Sequence, residues 1–238
     1  MRAQDALLSL GAMANPLDRP VWNALSGDHA HHALGGGGAL RYHPDIGPLA
    51  GTPDGSPESL AALGALVART GTLTTLQADI DPVPPGTRIA GCSEGLQMMF
   101  AGEPTGEADP RIAELGPDDV TAMVALATLA KPGPFAARTC ELGRFWGVFE
   151  DGKLAAMAGQ RTRFDRFVEV SGVCTSPEHR GKGLAALLTA HAARAVLAEG
   201  RTPFLQVYAS NDAAIGIYRR IGFIERTRVW LTVLAPEP

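Results

Sequence analysis

A basic, glycine-rich turn, Arg180-Gly-Lys-Gly183, separates a strand-like segment from an amphipathic helical segment. A helix that begins just after this turn presents its first amide N–H groups and the positive end of its dipole to the turn. Gly181 and Gly183 keep side chains away from the backbone, and Arg180 and Lys182 add positive charge around it. These residue types in this order predict an anion site with room for a diphosphate.

Two familiar phosphate-binding patterns do not fit this turn. A P-loop requires Ser or Thr after its Gly-Lys pair, whereas Lys182 is followed by Gly183. A dinucleotide-binding fingerprint requires GxGxxG with an acidic residue about twenty positions later, which neither this turn nor Gly35–Gly38 supplies. We interpret Gly35–Gly38 as a flexible loop. The anion site therefore belongs to another class of phosphate-binding protein.

The pattern that fits is R-x-x-G-x-A, met by Arg180, Gly183 and Ala185 after a segment that ends VCTSP. Farther along, the segment ASNDAAIGIYRRIGF carries Asn211 at a predicted helix start and Tyr218 within the helix. Together the two segments resemble the coenzyme A motif and the second cofactor segment of the GNAT superfamily of N-acetyltransferases, most closely the glycine N-acyltransferase-like branch. The resemblance implies an acyl-CoA-dependent N-acyltransferase (EC 2.3.1) that uses acetyl-CoA and a primary amine of a small molecule or peptide.

The resemblance also implies roles for individual residues. The strand would offer backbone groups to the pantetheine arm, the turn would hold the pyrophosphate, and Asn211 would cap the next helix and approach the pantetheine. The implied cofactor-binding residues are Val173, Cys174, Thr175, Arg180, Gly181, Lys182, Gly183, Leu184, Ala185, Asn211 and Tyr218. Tyr218 matches a tyrosine that stands near the thioester sulfur as general acid, and a phenol with a pKa of about 10 can protonate a departing thiolate. The alternative for Tyr218 is a tyrosine of the core.

The implied reaction is direct attack by a neutral amine on the acyl thioester, without a covalent enzyme intermediate. A base must then accept a proton from the amine or its adduct. Glu169 is the first candidate, because it shares a strand face with Val173 and Thr175 by the two-residue period. Glu141, which follows the KPGPF break, is the second candidate. A paired strand carboxylate without a role in proton transfer is the alternative for Glu169.

Neither the cysteines nor the histidines predict a metal site. Cys92, Cys140 and Cys174 are far apart and show no metal-ligand spacing, and Cys174 is interpreted as a small buried residue because no histidine partner can be assigned to it. The run DHAHHA lacks the second ligand pair that zinc sites use. Another hypothesis is that three residues of this region line the acceptor site: Trp22, His29 and His32.

The elements that would position these residues follow one another in the second half of the chain. The predicted order is strand RIAEL, a helix opening at PDD, hairpin RFWGVFEDGKLAAMAGQRTR, strand RFVEVSGVCT, a long helix from about Gly181, strand PFLQVYA, a helix from Asn211 to Ile221, and strand RTRVWLTVL. Asp151-Gly152 favours a type I′ turn in the hairpin. This order predicts an α/β (α+β) fold with a mixed, mostly antiparallel twisted sheet flanked by helices, as in GNAT acyl-CoA N-acyltransferases.

A polar stretch rich in glycine and proline, FAGEPTGEADPRIAEL, predicts a domain boundary. It would separate a smaller N-terminal α/β domain, residues 1–105, from a GNAT domain, residues 106–238. The first domain is interpreted as the acceptor side of the active site or as a degenerate copy of the GNAT fold. Its segment NPLDRPVWNALSGDHAHHA resembles the leader of two-part bacterial members. A helix is predicted from Ser56 to Arg69, with Ser56 as its cap.

The charge distribution differs between the two halves. Residues 1–110 carry 5 Arg and no Lys against 12 acidic residues, whereas residues 111–238 carry 16 basic residues against 13 acidic ones. The acidic first half predicts a field that favours a cationic amine, and the modest positive excess of the second half suits one anionic ligand. It is too small to indicate nucleic acid.

Apolar runs are shorter than the roughly eighteen residues that a membrane span needs, and residues 1–20 show no signal-peptide pattern. We therefore expect a cytoplasmic protein. The resemblance implies a bacterial enzyme, and we expect a monomer or homodimer without a metal and without a nucleic-acid or membrane partner. Two alternatives remain: a CoA-binding regulatory module without turnover, and an enzyme that transfers longer acyl chains.

Overall fold

The computed structural model describes residues 15–103 and 109–238. In the first half the elements are α1 (Pro20–Ser26), β1 (Ala33–Gly36), β2 (Ala39–Tyr42), β3 (Leu49–Gly51), α2 (Pro57–Thr70), β4 (Leu73–Gln77) and β5 (Thr87–Phe100). The second half contains β6 (Ile112–Leu115), α3 (Val120–Ala130), β7 (Phe145–Glu150), β8 (Lys153–Phe164), β9 (Phe167–Thr175), α4 (Leu184–Ala198), β10 (Thr202–Tyr208), α5 (Asp212–Ile221) and β11 (Phe223–Pro236). The predicted boundary between residues 105 and 106 lies outside the described residues.

Helix caps and turns that the sequence predicts are present in these elements. Ser56 caps α2, since its hydroxyl accepts a hydrogen bond from the Ser59 amide. Asp151 and Gly152 join β7 to β8 with φ of 49° and 72°, as the predicted type I′ turn requires. The prediction of a long helix from about Gly181 was wrong by three residues, because Gly181 and Gly183 adopt left-handed φ that a right-handed helix excludes.

The strands form one mixed sheet in the order β1-β2-β3-β4-β11-β5-β10-β9-β8-β7-β6. Its only parallel pairs among the described strands are β3 with β4 and β9 with β10, and a helix connects the strands of each pair, α2 in the first and α4 in the second. All other described neighbours run antiparallel. This arrangement confirms the predicted fold class of a mostly antiparallel sheet flanked by helices.

The two halves of the chain exchange their last strands. β5 of the first half lies between β11 and β10, and β11 of the second half lies between β4 and β5. The same arrangement follows on each side of the β5–β11 pair. A parallel pair with its connecting helix comes first, β4 with β3 on one side and β10 with β9 on the other, and antiparallel strands follow it. This internal repeat agrees with a first half that is a degenerate copy of the second.

Apolar side chains of the helices pack on this sheet. Leu184, Leu188 and Ala192 of α4 lie in one cluster with Leu205 of β10 and Phe223 of β11. A separate cluster joins α2 to strands β2, β3 and β4 and to Leu234 of β11. In the part of the chain that the structure describes, no helix is both long and apolar enough to cross a membrane.

Two helical glycines provide a matched test of packing against helix propensity. A Cβ atom on Gly64 of α2 would lie 2.2 Å from the backbone oxygen of Pro85, whereas a Cβ on Gly216 of α5 would meet nothing nearer than Arg220 Nη1 at 3.6 Å. We expect Gly64→Ala to lower the free energy of unfolding by about 2 kcal/mol, because backbone atoms must move. Gly216→Ala should raise it by about 0.5–1 kcal/mol. Urea unfolding measures both, and a shift of the same sign in the two variants would contradict this interpretation.

Candidate active site

The sheet opens where β9 and β10 separate. Their parallel pairing extends only from Thr202 opposite Phe167 to Phe204 opposite Glu169, and the strands diverge beyond it. A cleft of about 800 Å³ fills the opening and is lined by the second part of β9, the glycine turn, the first turn of α4, and parts of β10 and α5. The separation leaves backbone N–H and C=O groups of both strands without partners from each other, so a ligand can bind them.

A β-bulge bends β9 at the mouth of this opening. Met157 lies opposite Cys174 and Gly159 opposite Ser171, so one residue of β8 faces two residues of β9, Gly172 and Val173. Gly172 has a φ of 65°, and a Cβ there would lie 3.0 Å from the Phe145 ring. Glycine is required by both the backbone conformation and the space, as is usual for bulges that redirect a strand next to a functional site.

The glycine turn provides the anion site that the sequence predicts. Gly181 and Gly183 have φ of 79° and 75°, and no atom lies within 4 Å of a Cβ built on either. Gly183 is the N-cap of α4, and no side chain caps that helix. Its first N–H groups therefore point to an open space beside Arg180. Lys182 belongs to the turn but is not among the residues that line the cleft.

The implied cofactor residues meet in this cleft. With the exception of Lys182, all of them line it: Val173, Cys174, Thr175, Arg180, Gly181, Gly183, Leu184, Ala185, Asn211 and Tyr218. Asn211 caps α5, as predicted, by accepting a hydrogen bond of 3.1 Å from the Ala214 amide. The Thr175 hydroxyl is buried without a hydrogen-bond partner. An orphaned hydroxyl and uncapped helix N–H groups fit a ligand that brings amides and phosphates.

Tyr218 lies in the cleft as a protonated phenol. Its side chain is buried against the core, at 9 % exposure, and packs edge-on against Phe223. Burial, with a smaller contribution from Cys174, raises the pKa of Tyr218 to about 12. Burial likewise raises the pKa of the Cys174 thiol to about 12. At neutral pH Tyr218 can therefore donate a proton, whereas Cys174 stays a thiol, as its interpretation as a small buried residue requires.

Glu169 is a fully paired carboxylate. It is 1 % exposed, and both its oxygens accept hydrogen bonds from Arg161, at 2.6 Å and 3.0 Å. The Thr162 hydroxyl and amide bond the same group at 2.6 Å and 3.3 Å, and the Gln206 amide bonds it at 3.3 Å. Burial alone would raise the pKa of Glu169, but the Arg161 charge and these hydrogen bonds hold it below its usual value. With its lone pairs occupied, Glu169 fits the paired-carboxylate alternative better than the predicted role of base.

Glu141 does not reach the cleft. It lies in a 3-10 turn, Thr139–Leu142, where both its oxygens accept hydrogen bonds of 2.7 Å from the Arg138 guanidinium. This hydrogen-bonded pair lowers the pKa of Glu141. The structure therefore does not bring Glu141 together with Tyr218, and the contacts of Glu141 give no support to a role as base.

The three histidines of DHAHHA form a local cluster outside the cleft. His29 is buried and its Nδ1 lies 2.9 Å from the Tyr42 hydroxyl, while the rings of His31 and His32 lie 4.0 Å apart. Residues 15–103 and 109–238 contain no group of three side chains arranged to hold a metal ion. Neither these histidines nor Trp22 is among the cleft-lining residues.

His29 predicts a pH dependence of stability. Burial, followed by the neighbouring His32 and His31, lowers its pKa from 6.5 to about 4. The folded state thus keeps His29 neutral, so its contribution is complete above pH 6.5 and is lost as the pH falls toward 4. We expect wild type to lose about 2–3 kcal/mol more unfolding free energy than His29→Gln between pH 7 and pH 4.5. Urea titrations at both pH values measure this difference, and an equal loss in wild type and His29→Gln would contradict it.

The sequence did not reveal several of the residues that line the cleft. Arg161, Gln206 and Tyr208 line it beside the point where β9 and β10 separate, and Leu76 and Gly95 of the first half also contribute. The available signal for Arg161 is that a charged residue follows the apolar run LAAMAG within one predicted strand. Contacts between distant strands bring the others there.

Two parallel strands that separate around a cleft, with an uncapped helix N-terminus and a glycine turn at its mouth, define a class of acyl-CoA-dependent transferases. The FR47-like protein family model matches residues 145–231. A solved structure described as a GNAT-family acetyltransferase, from Novosphingobium aromaticivorans, is 40% identical with a TM-score of 0.89, over 94% of this chain and 100% of that one. The chain therefore belongs to the GNAT family of N-acyltransferases.

More distant structures share the fold. A GCN5-related N-acetyltransferase from Kribbella flavida is 22% identical with a TM-score of 0.66, over 95% of this chain and 97% of that one. A tandem GNAT protein from the clavulanic acid biosynthesis pathway is 18% identical with a TM-score of 0.53, over 84% and 79%. The similarity to a tandem protein agrees with the internal repeat of strands described above. No curated protein matches this sequence.

Proposed function

We propose that this protein transfers an acetyl group from acetyl-CoA to the primary amine of a small molecule or peptide. The observation that carries the proposal is the cleft itself, because one continuous space joins the uncapped start of α4 to the protonated phenol of Tyr218. When bound, acetyl-CoA supplies the activated acyl thioester. Residues of the chain would bind the substrates and transfer the protons.

Binding would use the turn and the separated strand. The first N–H groups of α4 and the Arg180 side chain would hold the diphosphate, with Gly181 and Gly183 allowing close approach and Lys182 adding charge at the rim. Backbone groups of Val173 to Thr175 and the Asn211 side chain would bind the pantetheine arm. The unpaired edge of β9 beyond Glu169 and the orphaned Thr175 hydroxyl support this placement.

In the chemical step, the amine nitrogen would bond to the thioester carbonyl carbon as the carbon–sulfur bond breaks. Tyr218 would give its proton to the departing thiolate and recover one from the new amide nitrogen through water. No Asp or Glu side chain among the described residues lines the cleft, so we propose that the amine enters neutral and that no carboxylate acts as base. In this mechanism Glu169 positions Arg161.

The division into residues 1–105 and 106–238 is part of the proposal. Leu76 and Gly95 of the first half line the cleft next to β10, which supports an acceptor-side role for that half. At the start of α2, where the second half has its glycine turn, Asp54 already accepts hydrogen bonds from the Ser56 amide and the Ser59 hydroxyl. A carboxylate in this place would repel a phosphate, so we propose a single cofactor site in the second half.

The remaining proposals concern branch and setting. Membership of the glycine N-acyltransferase-like branch rests on the motif residues around Arg180 and Asn211. We also propose a bacterial cytoplasmic enzyme, monomer or homodimer, which needs no metal, nucleic acid or membrane for its reaction.

Calorimetric titration with acetyl-CoA, followed by a thiol-release assay with a panel of amines, tests the function. We expect saturable binding and amine-dependent release of CoA. Binding without release for any amine would instead indicate a regulatory CoA-binding module, and faster release from a bulkier thioester would indicate longer-chain acyl transfer. Absence of binding by the folded protein would contradict the proposal.

A further inference from the structure

Among the described residues no Asp or Glu lines the cleft, whereas five basic residues do: Lys131, Arg161, His179, Arg180 and Arg220. Arg180 belongs to the glycine turn and His179 directly precedes it, which suits both residues to the phosphates. Arg161 lies elsewhere, on β8 beside the point where β9 and β10 separate. The negative charge of the first half therefore does not extend to the cleft wall, and the preference for a cationic amine expected from it finds no support there.

Glu169 holds one edge of the Arg161 guanidinium, and Arg161 lines the cleft. Its Nε and Nη2 donate to Glu169, which leaves its other N–H groups for a further acceptor. The side chain is 12 % exposed and is among the residues that line the cleft. Because the pair with Glu169 is neutral as a whole, Arg161 would bind an anion through directed N–H groups rather than through net charge. A planar guanidinium recognises a carboxylate best in this way.

Gln206 provides the second polar group at this end. Its Nε2 donates to Glu169 at 3.3 Å, and the reversed amide would place two acceptors against each other. The contact with Glu169 thus sets the amide orientation and leaves Oε1, which is buried without a partner. An orphaned acceptor next to a free guanidinium face calls for a ligand that carries both a donor and an anion. A primary amine provides the donor.

Several other residues that line the cleft are apolar. Leu76 of β4 and Val229 and Leu231 of β11 are among them, as are Pro132 and Pro134 of the segment after α3. A ligand that fills this end therefore needs an apolar body in addition to its amine and its anion.

We infer that the acceptor is an amino acid with an apolar side chain, an inference that rests on the proposed acetyl transfer. The carboxylate of this amino acid binds Arg161, and its amine donates a hydrogen bond to Gln206 Oε1. Arg161 is thus the residue that determines specificity for the acceptor, and Glu169 positions it. The same two groups would reject amines that lack a carboxylate, because the Arg161 N–H groups would stay unpaired.

The test compares amino acids with their amides and with the decarboxylated amines, in thiol-release assays with acetyl-CoA. Leucine, leucinamide and isoamylamine form one such series. Rates are expressed per neutral amine, since the three compounds differ in amine pKa. For wild type we expect kcat/KM for the amino acid to exceed that for its amide by about 50-fold, the worth of a charge-assisted hydrogen-bond pair.

Three variants localise this preference. Arg161→Gln combined with Glu169→Gln removes both charges without leaving either buried alone, and the preference should fall to within about 3-fold. Arg161→Lys keeps the charge but loses the planar fork, so its preference should be intermediate. Arg163→Lys, on the same strand and paired with Glu199, is the control and should keep the wild-type ratio. The ratio within one variant does not depend on how much of it is folded.

The outcomes distinguish failure of the proposed acetyl transfer from failure of the acceptor inference. No release of CoA with any amine would overturn the proposed acetyl transfer, and the acceptor inference with it. Release with amides or decarboxylated amines at the same efficiency as with amino acids would overturn the acceptor inference alone. A preference for amino acids that survives in the double variant would show that another residue binds the carboxylate, which also overturns it.

Discussion

Replacing Gly183 by glutamate is expected to weaken acetyl-CoA binding at least about 100-fold. The new carboxylate would lie at the N-cap of α4, where the uncapped N–H groups face the cleft. There it would compete with the diphosphate for the same donors and repel its charge. No atom lies within 4 Å of a Cβ at this position, so the effect would come from charge and not from displaced neighbours. Calorimetric titration measures the affinity directly.

Gly200→Glu is the matched control. Gly200 follows the other end of the same helix, with a φ of 72° against 75° at Gly183, and a Cβ there also meets no atom within 4 Å. Both variants therefore bear a similar backbone strain. Gly200 does not line the cleft, so its variant should bind acetyl-CoA as wild type does. Equal affinities in all three proteins would refute an anion site at the start of α4.

Tyr218→Phe is expected to lower kcat about 100-fold while changing the affinity for acetyl-CoA little. The variant keeps the ring that packs against Phe223 and removes the proton that the departing thiolate would receive. Because burial raises the pKa of Tyr218 to about 12, wild type should show no loss of activity from its ionisation below about pH 10. Steady-state kinetics across this pH range measure both quantities.

A second substrate distinguishes acid catalysis from a packing effect. A thioester of an aromatic thiol has a leaving group of lower pKa, which departs without a proton, so Tyr218→Phe should be far less impaired with it. Tyr42→Phe serves as control, since Tyr42 is also buried, its hydroxyl contacts His29, and it does not line the cleft. A kcat for Tyr218→Phe that matches wild type with acetyl-CoA would rule out the general acid.

The sequence was informative wherever structure depends on neighbours along the chain. The hairpin turn at Asp151-Gly152, the caps at Ser56 and Asn211, and the glycine turn are local, and each depends on the φ preferences or hydrogen bonds of a few consecutive residues. The start of α4 was placed too early because the same glycines that favour an anion site also exclude helical φ.

What the sequence could not show depends on partners that are far away in the chain. Whether Glu169 is a free base or a paired carboxylate depends on Arg161 of the neighbouring strand and Gln206 of β10, and the register that joins them includes bulges. The exchange of β5 and β11 likewise depends on pairings more than a hundred residues apart. Periodicity identifies such strands but does not give their neighbours.

The exchanged strands also determine how much of the chain must be synthesised before the cleft can form. The cleft wall includes Gly95 of β5 and Val229 and Leu231 of β11, and these two strands can pair only after residues 223–236 have been synthesised. A nascent chain that already contains the glycine turn and Tyr218 still lacks one wall of the cleft. Until β11 arrives, β4 and β5 keep exposed edges, the kind of surface that chaperones protect. The cleft is therefore complete only when β11 has taken its place between β4 and β5.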